Sequence, residues 1–343
     1  MPDKDLYKEE EIYKELDLCD NNGRLQDKSV GWSRNPLFNC NLSGHWLRKK
    51  KWNYWCITNE ECLFSLTISN LDYAGMVFVY FLDFKTNKFI ERTFMTPFGR
   101  HCSMPNNVHE SVSFKNNGIE LAFIEEHNIT HIIAECNDFM GTSMKADFKV
   151  VYPKGHETLN VVIPWNKNTF QFTSKHECLP TTGLLIVGET IYNFKPETTF
   201  ACLDFGRGIW PYKIAWNWAT ASSMQNGKCI GFNLGAKWTD GTGITENCIL
   251  VDGKILKLSE DIIFEYDLKN IMKPWILKTA LTDRVNLKFI PFYERIAKSN
   301  LIVIKSEVHQ LVGHFSGVII TDNGDVINID SMLGTAEDHF AKW

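Results

Sequence analysis

Two carboxyl groups in the central part of the sequence, Asp204 and Glu246, are candidates for acid–base chemistry. A carboxyl group that burial keeps neutral can protonate an alkene, and water or an internal group then captures the cation. Arg207 follows Asp204 in a glycine-rich stretch that is typical of a turn, and Tyr212 lies just beyond it. We therefore predict Asp204 or Glu246 as the catalytic acid, with Arg207 and Tyr212 as supporting groups. The alternatives are a local ion pair between Asp204 and Arg207, and a solvated strand-edge position for Glu246.

Aromatic and amide side chains close to these candidates could line a binding cavity. If Asn226-Gly227 forms a two-residue hairpin loop, Trp218 lies directly opposite Gly235. A tryptophan that faces a glycine leaves room for a flat ligand, or it allows dense core packing. A buried asparagine must be hydrogen-bonded to protein, water or ligand. The predicted ligand-binding residues are Trp210, Trp216, Asn217, Trp218, Asn233 and Asn247.

The composition is that of an ordinary globular protein with many aromatic residues. The chain has 343 residues, of which 22% are charged and 44% hydrophobic, and this balance excludes disordered, collagen-like and coiled-coil chains. The net charge of −5 does not support a nucleic-acid partner. The 13% aromatic content, with 11 Trp and 23 Phe, indicates either a β core or an apolar pocket.

No motif in the sequence indicates a metal or a cofactor. The 10 cysteines are scattered without a CxxC spacing, so zinc-ribbon and thioredoxin sites are excluded and small buried side chains are expected. Glu126, His127 and His131 lack a third ligand at a suitable spacing. Walker, dinucleotide-binding and nucleophile-elbow motifs do not occur. We therefore expect no metal and no cofactor.

The sequence also bears on the compartment and on further partners. The first residues include no apolar secretory segment, and the longest clean apolar run, Met76 to Leu82, is too short for a membrane helix. We expect a soluble, cytoplasmic protein without stable membrane insertion. The basic run 48–51 stands beside tryptophans, a combination that can bind single-stranded nucleic acid. In an acidic chain a solvated hairpin is the better interpretation.

Turn dipeptides between short alternating runs predict antiparallel β meanders. The hairpin turns are expected at 85–88, 117–118, 226–227, 252–253 and 323–324. We predict an all-β fold with two similar β units that meet near 165–180, which divides the chain into domains 1–170 and 171–343. Residues 3–16 suggest a short helix or an extended arm, and 335–343 suggest a closing helix capped by Thr335.

Three blocks of the sequence resemble a bacterial domain-of-unknown-function family, number 2804 in the usual series. The first block has Asp17-Leu18-Cys19-Asp20, Gly31-Trp32-Ser33-Arg34 and Trp52-Asn53-Tyr54-Trp55; the second has Leu203-Asp204-Phe205-Gly206-Arg207-Gly208, Trp210-Pro211-Tyr212 and Trp216-Asn217-Trp218; the third has Gly231 to Asn233, Glu246-Asn247, Pro274-Trp275 and Phe289-Ile290-Pro291. The resemblance implies two lipocalin-like (calycin) antiparallel β-barrels in tandem. Double-lipocalin proteins of this kind include carotenoid hydratase (hydroxyneurosporene synthase) and tocopherol cyclase, and the relation to them is remote. It carries no catalytic residue across, because a fold does not fix a function.

Three functions follow as hypotheses. The first is cofactor-free acid–base chemistry, as in a hydratase (a lyase), an isomerase or a cyclase, on an isoprenoid-, lipid- or polyketide-like molecule in an aromatic-lined cavity. The second is a non-catalytic carrier of the same kind of ligand. The third is a carbohydrate-active protein, which requires two facing carboxyl groups.

Overall fold

The computed structural model describes residues 5–300 and 305–342 and contains two compact units. The N-terminal unit comprises Ile12–Val162 and Asn166–Trp210. The C-terminal unit comprises the described parts of 1–11, 163–165 and 211–343. The division into domains 1–170 and 171–343 stays a prediction.

The N-terminal unit is a curled, almost entirely antiparallel sheet with short accessory strands. Its elements are β1 (Leu16–Asp17), a 3-10 helix (Asp27–Ser29), β2 (Trp32–Ser33), β3 (Phe38–Asn39), β4 (Lys49–Thr58), β5 (Cys62–Asn70), β6 (Ala74–Asp83), β7 (Phe89–Pro97), β8 (Val112–Asn116), β9 (Ile119–Glu126), β10 (Ile129–Cys136), β11 (Met144–Val151), β12 (Leu159–Asn166), β13 (Thr169–Val187), β14 (Thr190–Phe194) and β15 (Phe200–Ile209). The main strand order is β7-β6-β5-β4-β15-β13-β11-β10-β9-β8. This order brings β15, which carries Asp204, between β4 and β13.

The C-terminal unit is a second curled antiparallel sheet, with the order β19-β18-β17-β16-β24-β23-β22-β21-β20. Its strands are β16 (Lys213–Gln225), β17 (Lys228–Ala236), β18 (Cys248–Val251), β19 (Lys254–Lys257), β20 (Ile262–Glu265), β21 (Trp275–Thr279), β22 (Val285–Asn300), β23 (Lys305–Ile320) and β24 (Val326–Lys342). The all-β fold predicted from the sequence is confirmed for the described residues, which form two curled antiparallel half-barrel sheets.

The hairpin predicted at Asn226-Gly227 forms with the expected register. Asn226 and Gly227 have φ angles of 51° and 80°, which the primed hairpin turns require. Trp218 consequently pairs with Gly235. Because side chains alternate across a strand, Trp216 and Trp218 share one face of β16 while Ala219 lies on the other.

Each sheet has an apolar core on one face. In the C-terminal unit Phe232, Trp275, Phe289 and Phe315 pack with Ala219 in this core. Trp216 and Trp218 therefore lie on the face opposite to the core, where several polar side chains are also buried. Large apolar side chains thus occupy the core face of this unit, and Trp216 and Trp218 lie on its other face.

The short terminal helices expected from the sequence do not form in the described residues. Residues 335–342 belong to β24, which pairs with β16 on one side and with β23 on the other. Thr335, Ala336 and Glu337 are consecutive buried residues, so this stretch lacks the one-sided alternation that distinguishes a strand from a helix. Residues 5–11 form no helix either, and the Tyr7 amide donates to the Ser259 carbonyl.

The structure has no helix among the described residues that is long and apolar enough to span a membrane.

Candidate functional site

Asp204 lies at the centre of a polar cluster on β15. Its Oδ1 atom is 3.0 Å from the Lys175 ammonium and accepts a hydrogen bond of 3.1 Å from the Thr173 hydroxyl. Its Oδ2 atom accepts a hydrogen bond of 3.0 Å from the Trp52 indole. The Asp204 side chain is 15% exposed and the Lys175 side chain 6%, so the ion pair is largely desolvated but solvent still reaches the carboxylate.

Aromatic rings extend from Asp204 along the same face of the sheet, and those of Trp52, Tyr54 and Phe78 are half-buried. Tyr54 lies directly opposite Asp204 on β4, and its ring is 6.4 Å from that of Phe78. The hydroxyl groups of Tyr54 and Tyr80 share a hydrogen bond of 2.9 Å, and burial raises the pKa of Tyr54 well above its ordinary value. The rings of Trp52 and Trp210 are 5.8 Å apart. The carboxylate therefore lies within a strip of aromatic faces.

Glycine at position 206 allows Trp52 to lie over the strand. Trp52 pairs with Gly206, and a Cβ atom at 206 would be 2.1 Å from the Trp52 ring and 2.7 Å from the Gln171 amide nitrogen. The stretch that contains Gly206 was predicted as a turn, but it is the interior of β15. The glycine is needed there for close packing and not for chain reversal.

Arg207 does not support Asp204, contrary to the prediction from the sequence. It lies on the other face of β15, fully buried, with its guanidinium 3.6 Å from the centre of the Phe205 ring. Burial lowers its pKa to about 9. The guanidinium donates to the carbonyl oxygens of Pro105, Trp52 and Gly206 and to the Asn53 side-chain oxygen. Lys175 is the cation that pairs with Asp204.

Glu246 occupies a second cluster, in the C-terminal unit. It is 1% exposed, and its Oε1 atom accepts a hydrogen bond of 2.5 Å from the Trp238 indole. A Cβ atom on Gly235 would be 2.0 Å from that oxygen, so the carboxyl group occupies the space that glycine leaves. The Trp238 ring in turn packs edge-on against Trp165 at 5.9 Å. Glu246 is therefore a buried side chain and not a solvated edge residue.

Other residues predicted from the sequence bind one another around Glu246. The Trp218 indole donates to the Asn233 side-chain oxygen at 2.6 Å, and the Asn233 amide donates to the Glu246 carbonyl at 2.6 Å. The Asn247 side-chain oxygen accepts from the Gly235 amide at 2.6 Å. Both buried asparagines are thus hydrogen-bonded within the protein, and their contact with a ligand stays a prediction.

Trp216 and Asn217 contact β24, which the sequence assigned to a helix. The Trp216 indole donates to the Glu337 carboxylate at 2.7 Å, and its ring lies 3.9 Å from that of His339. The Asn217 amide donates to the Asp338 carboxylate at 3.2 Å. Sequence reasoning missed Glu337 and Asp338 because the segment was expected to be helical.

Asp338 lies at the centre of a partly exposed cluster of polar side chains in the C-terminal unit. Lys237 and Tyr266 each donate to its Oδ1 atom at 2.5 Å. Burial opposes the ionisation of Asp338, but the bonds from Lys237 and Tyr266 outweigh it and lower the pKa. Asp338 is therefore an ionised carboxylate with its hydrogen bonds supplied by its neighbours.

The predicted site residues thus fall into separate clusters. Asp204, Arg207 and Trp210 belong to the N-terminal unit, whereas Glu246 belongs to the C-terminal unit. Tyr212 also belongs to the C-terminal unit, where it is 41% exposed and contacts the Lys342 ammonium through its ring. Trp52, Thr173 and Lys175 were missed because they lie on strands remote in sequence, and no local signal connects them with Asp204. Among the described residues, no group of three or more His, Cys, Asp or Glu is placed to hold a metal ion.

Comparison with known proteins adds the family and distant structural similarities. Three solved structures similar to the chain are an AttH-like protein from Nitrosomonas europaea (10% identity, TM-score 0.42, 85% of this chain and 92% of that chain covered), kievitone hydratase from Nectria haematococca (11%, 0.43, 86% and 88%) and CghA with Sch210972 (8%, 0.44, 86% and 88%). No curated protein matches the sequence. Residues 9–343 match the family model described as domain of unknown function DUF2804, which confirms the resemblance drawn from the sequence. The chain belongs to this DUF2804 family.

Proposed function

We propose that the protein binds a hydrophobic small molecule at Asp204 and acts on it by cofactor-free acid–base chemistry. The observation that supports this is a carboxylate, still open to solvent, within a strip of aromatic rings, several of which are half-buried. The ligand class is an isoprenoid-, lipid- or polyketide-like molecule that carries one hydrogen-bond donor. We also propose that the two half-barrel sheets have the lipocalin-like (calycin) architecture, in which such ligands are common.

The donor on the ligand would bind the Oδ2 atom of Asp204. Within the described part of the chain, this atom accepts one hydrogen bond, from the Trp52 indole. A carboxylate oxygen has two lone-pair sites, so a hydroxyl group or a protonated amine can occupy the second. The apolar part of the ligand would then lie against the Trp52 and Tyr54 rings, which are half-buried.

The ion pair with Lys175 decides which role in catalysis we assign to Asp204. A carboxylate beside an ammonium group serves as a base, or as a counter-charge to a cation that develops on the substrate. The adjacent aromatic faces stabilise the same cation. Asp204 is thus assigned as a base or counter-charge in a hydratase, isomerase or cyclase, and no longer as the acid that the sequence suggested. The carrier function uses the same contacts without turnover.

The test is a titration of the full chain with isoprenoid alcohols, fatty alcohols and flat phenols, followed through tryptophan fluorescence. Mass spectrometry of the recovered ligand detects a gain of one water, and chromatography detects isomers. We expect Asp204→Asn to abolish turnover and to weaken binding about tenfold, since a charge-assisted hydrogen bond becomes a neutral one. Glu135→Gln is the control, because Glu135 forms an exposed ion pair with Lys145 in the same unit.

Each outcome separates the hypotheses. Binding that depends on Asp204 without any product assigns the carrier function. Binding and turnover that are both unchanged in Asp204→Asn contradict the proposed site. The carbohydrate function requires a second carboxyl group facing the first. Asp204 faces an ammonium group, so this function stays a prediction that glycoside substrates in the same assay would test.

A further inference from the structure

Lys50 is buried, although the sequence placed it in a solvated basic run. It lies on β4, and the whole residue is 1% exposed. Its ammonium group donates to the Leu71 carbonyl at 3.1 Å and lies 4.6 Å from the centre of the Tyr73 ring. The amine is therefore enclosed by a backbone turn and an aromatic face.

The charges around Lys50 disfavour its protonated form. Burial, and next the neighbouring Arg48 guanidinium, lower the pKa of Lys50 to about 8. The Asp72 carboxylate, which pairs with Lys49 at 3.1 Å, raises the pKa of Lys50 but does not outweigh the effect of burial. A lysine that is desolvated beside another cation is the kind of amine that forms Schiff bases in proteins.

Tyr73 supplies an independent observation at the same place. Its hydroxyl oxygen is buried and makes no hydrogen bond within the described ranges. Burial raises the pKa of Tyr73 to about 12, so the hydroxyl group keeps its proton at neutral pH. A buried donor without an acceptor is costly, and a ligand oxygen would satisfy it.

We propose that Lys50 and Tyr73 form a carbonyl-binding site that takes a small aldehyde or ketone as a Schiff base. The neutral Lys50 nitrogen attacks the carbonyl carbon, a C–N bond forms, and the carbonyl electron pair moves to oxygen, which takes up a proton released by the attacking nitrogen. Tyr73 donates the proton with which the C–O bond breaks and water leaves, and the imine nitrogen's proton returns to the tyrosinate. The net change is amine plus carbonyl to imine plus water, without an oxidant or a reductant.

This site does not depend on the function proposed for Asp204. Lys50 pairs with Gly208, and Tyr54 pairs with Asp204, so four residues of β4 separate the two positions. At about 3.3 Å per residue this is about 13 Å along the strand. Failure of one site therefore leaves the other untouched.

The experiment is reductive trapping on the full chain. Propanal and sodium cyanoborohydride are added at pH 7, and peptide mass mapping gives the rate of alkylation at each lysine. An amine with a pKa of about 8 has a neutral fraction a few hundred times that of a lysine at the ordinary value of 10.5. We expect alkylation at Lys50 to be at least ten times faster than at Lys145, whose side chain is 61% exposed.

The variants assign the roles. Lys50→Met should remove this fast adduct, and Lys145→Met should leave it unchanged. Tyr73→Phe should slow it severalfold at pH 7 and shift its pH profile, because the proton donor for water loss is gone. If adducts in the unmodified protein form at exposed lysines alone, the proposal is overturned. This measurement does not depend on whether any variant folds. A Lys50 adduct rate that keeps rising to pH 10, as for exposed lysines, also overturns it.

Discussion

Replacing Lys50 by methionine should stabilise the protein at neutral pH. Burial of the ammonium group lowers its pKa from 10.5 to about 8, and each tenfold change in proton affinity corresponds to about 1.36 kcal/mol. The charge therefore costs the folded state about 3 kcal/mol. The variant loses the hydrogen bond to the Leu71 carbonyl, which is worth about 1 kcal/mol. We expect a net gain of about 2 kcal/mol in the free energy of unfolding.

The effect should depend on pH in a defined direction. The pKa of Lys50 is lower in the folded than in the unfolded chain, so the unfolded chain binds more protons between about pH 8 and 10.5. Stability of the unmodified protein relative to the variant must rise with pH across this window. Below pH 8 both states bind the proton and the difference is constant. The advantage of Lys50→Met should fall by about 3 kcal/mol from pH 8 to above 10.5.

Urea denaturation of both proteins at several pH values from 7 to 10.5 measures this difference. Subtracting the two curves removes the contributions of the other tyrosines, cysteines and lysines that titrate there. Lys145→Met is the matched control, and its exposed ion pair should change stability by less than about 0.5 kcal/mol at every pH. A Lys50→Met protein that is less stable at pH 7, or a difference that does not vary with pH, would refute the reasoning.

Two further predictions concern buried groups. Gly235→Ala should lower stability by about 1–3 kcal/mol and change the near-ultraviolet circular dichroism, because the new Cβ displaces the Glu246 carboxyl group from Trp238. The His176 ring shares hydrogen bonds of 2.7 Å with the Ser174 hydroxyl and 2.8 Å with the Tyr152 hydroxyl. Burial lowers the pKa of His176 well below 6.5. The unfolded chain therefore binds the proton first as pH falls below about 6.5, so His176→Gln should flatten the loss of stability measured by urea denaturation between pH 6.5 and 4.

The sequence predicted the sheet topology best where local chemistry fixes the geometry. The Asn226-Gly227 turn sets the register of β16 and β17, and the predicted pairing of Trp218 with Gly235 is confirmed. The contact between Trp218 and Asn233 follows from that register, because residues two apart in a strand share a face. Glu246 lies outside both strands, just before β18, and the turn motif does not fix its position.

The rest of the candidate site depends on pairing between distant strands. Asp204 receives its partners from β4 and β13, which no local pattern connects with β15. The basic run 48–51 was predicted to be solvated because the chain as a whole is acidic. Net charge describes the whole chain and does not show whether one side chain is buried. Lys50 is buried because the Leu71 carbonyl and the Tyr73 ring, which are distant in sequence, lie against its ammonium group. Burial of a charge is a tertiary property that a short sequence pattern does not encode.

The two units contain the same arrangement of a glycine, a tryptophan and a polar residue. The polar residue is charged in the N-terminal unit and neutral in the C-terminal unit. In each, a glycine faces a tryptophan, and the indole donates to the polar residue two positions before that glycine. Trp52 donates to Asp204, and Trp218 donates to Asn233. The C-terminal copy thus shows that an asparagine keeps the indole bond without a charge. Asp204→Asn should therefore preserve packing around Trp52 and remove only the ion pair with Lys175. A loss of binding in that variant would then report on the charge and not on the fold.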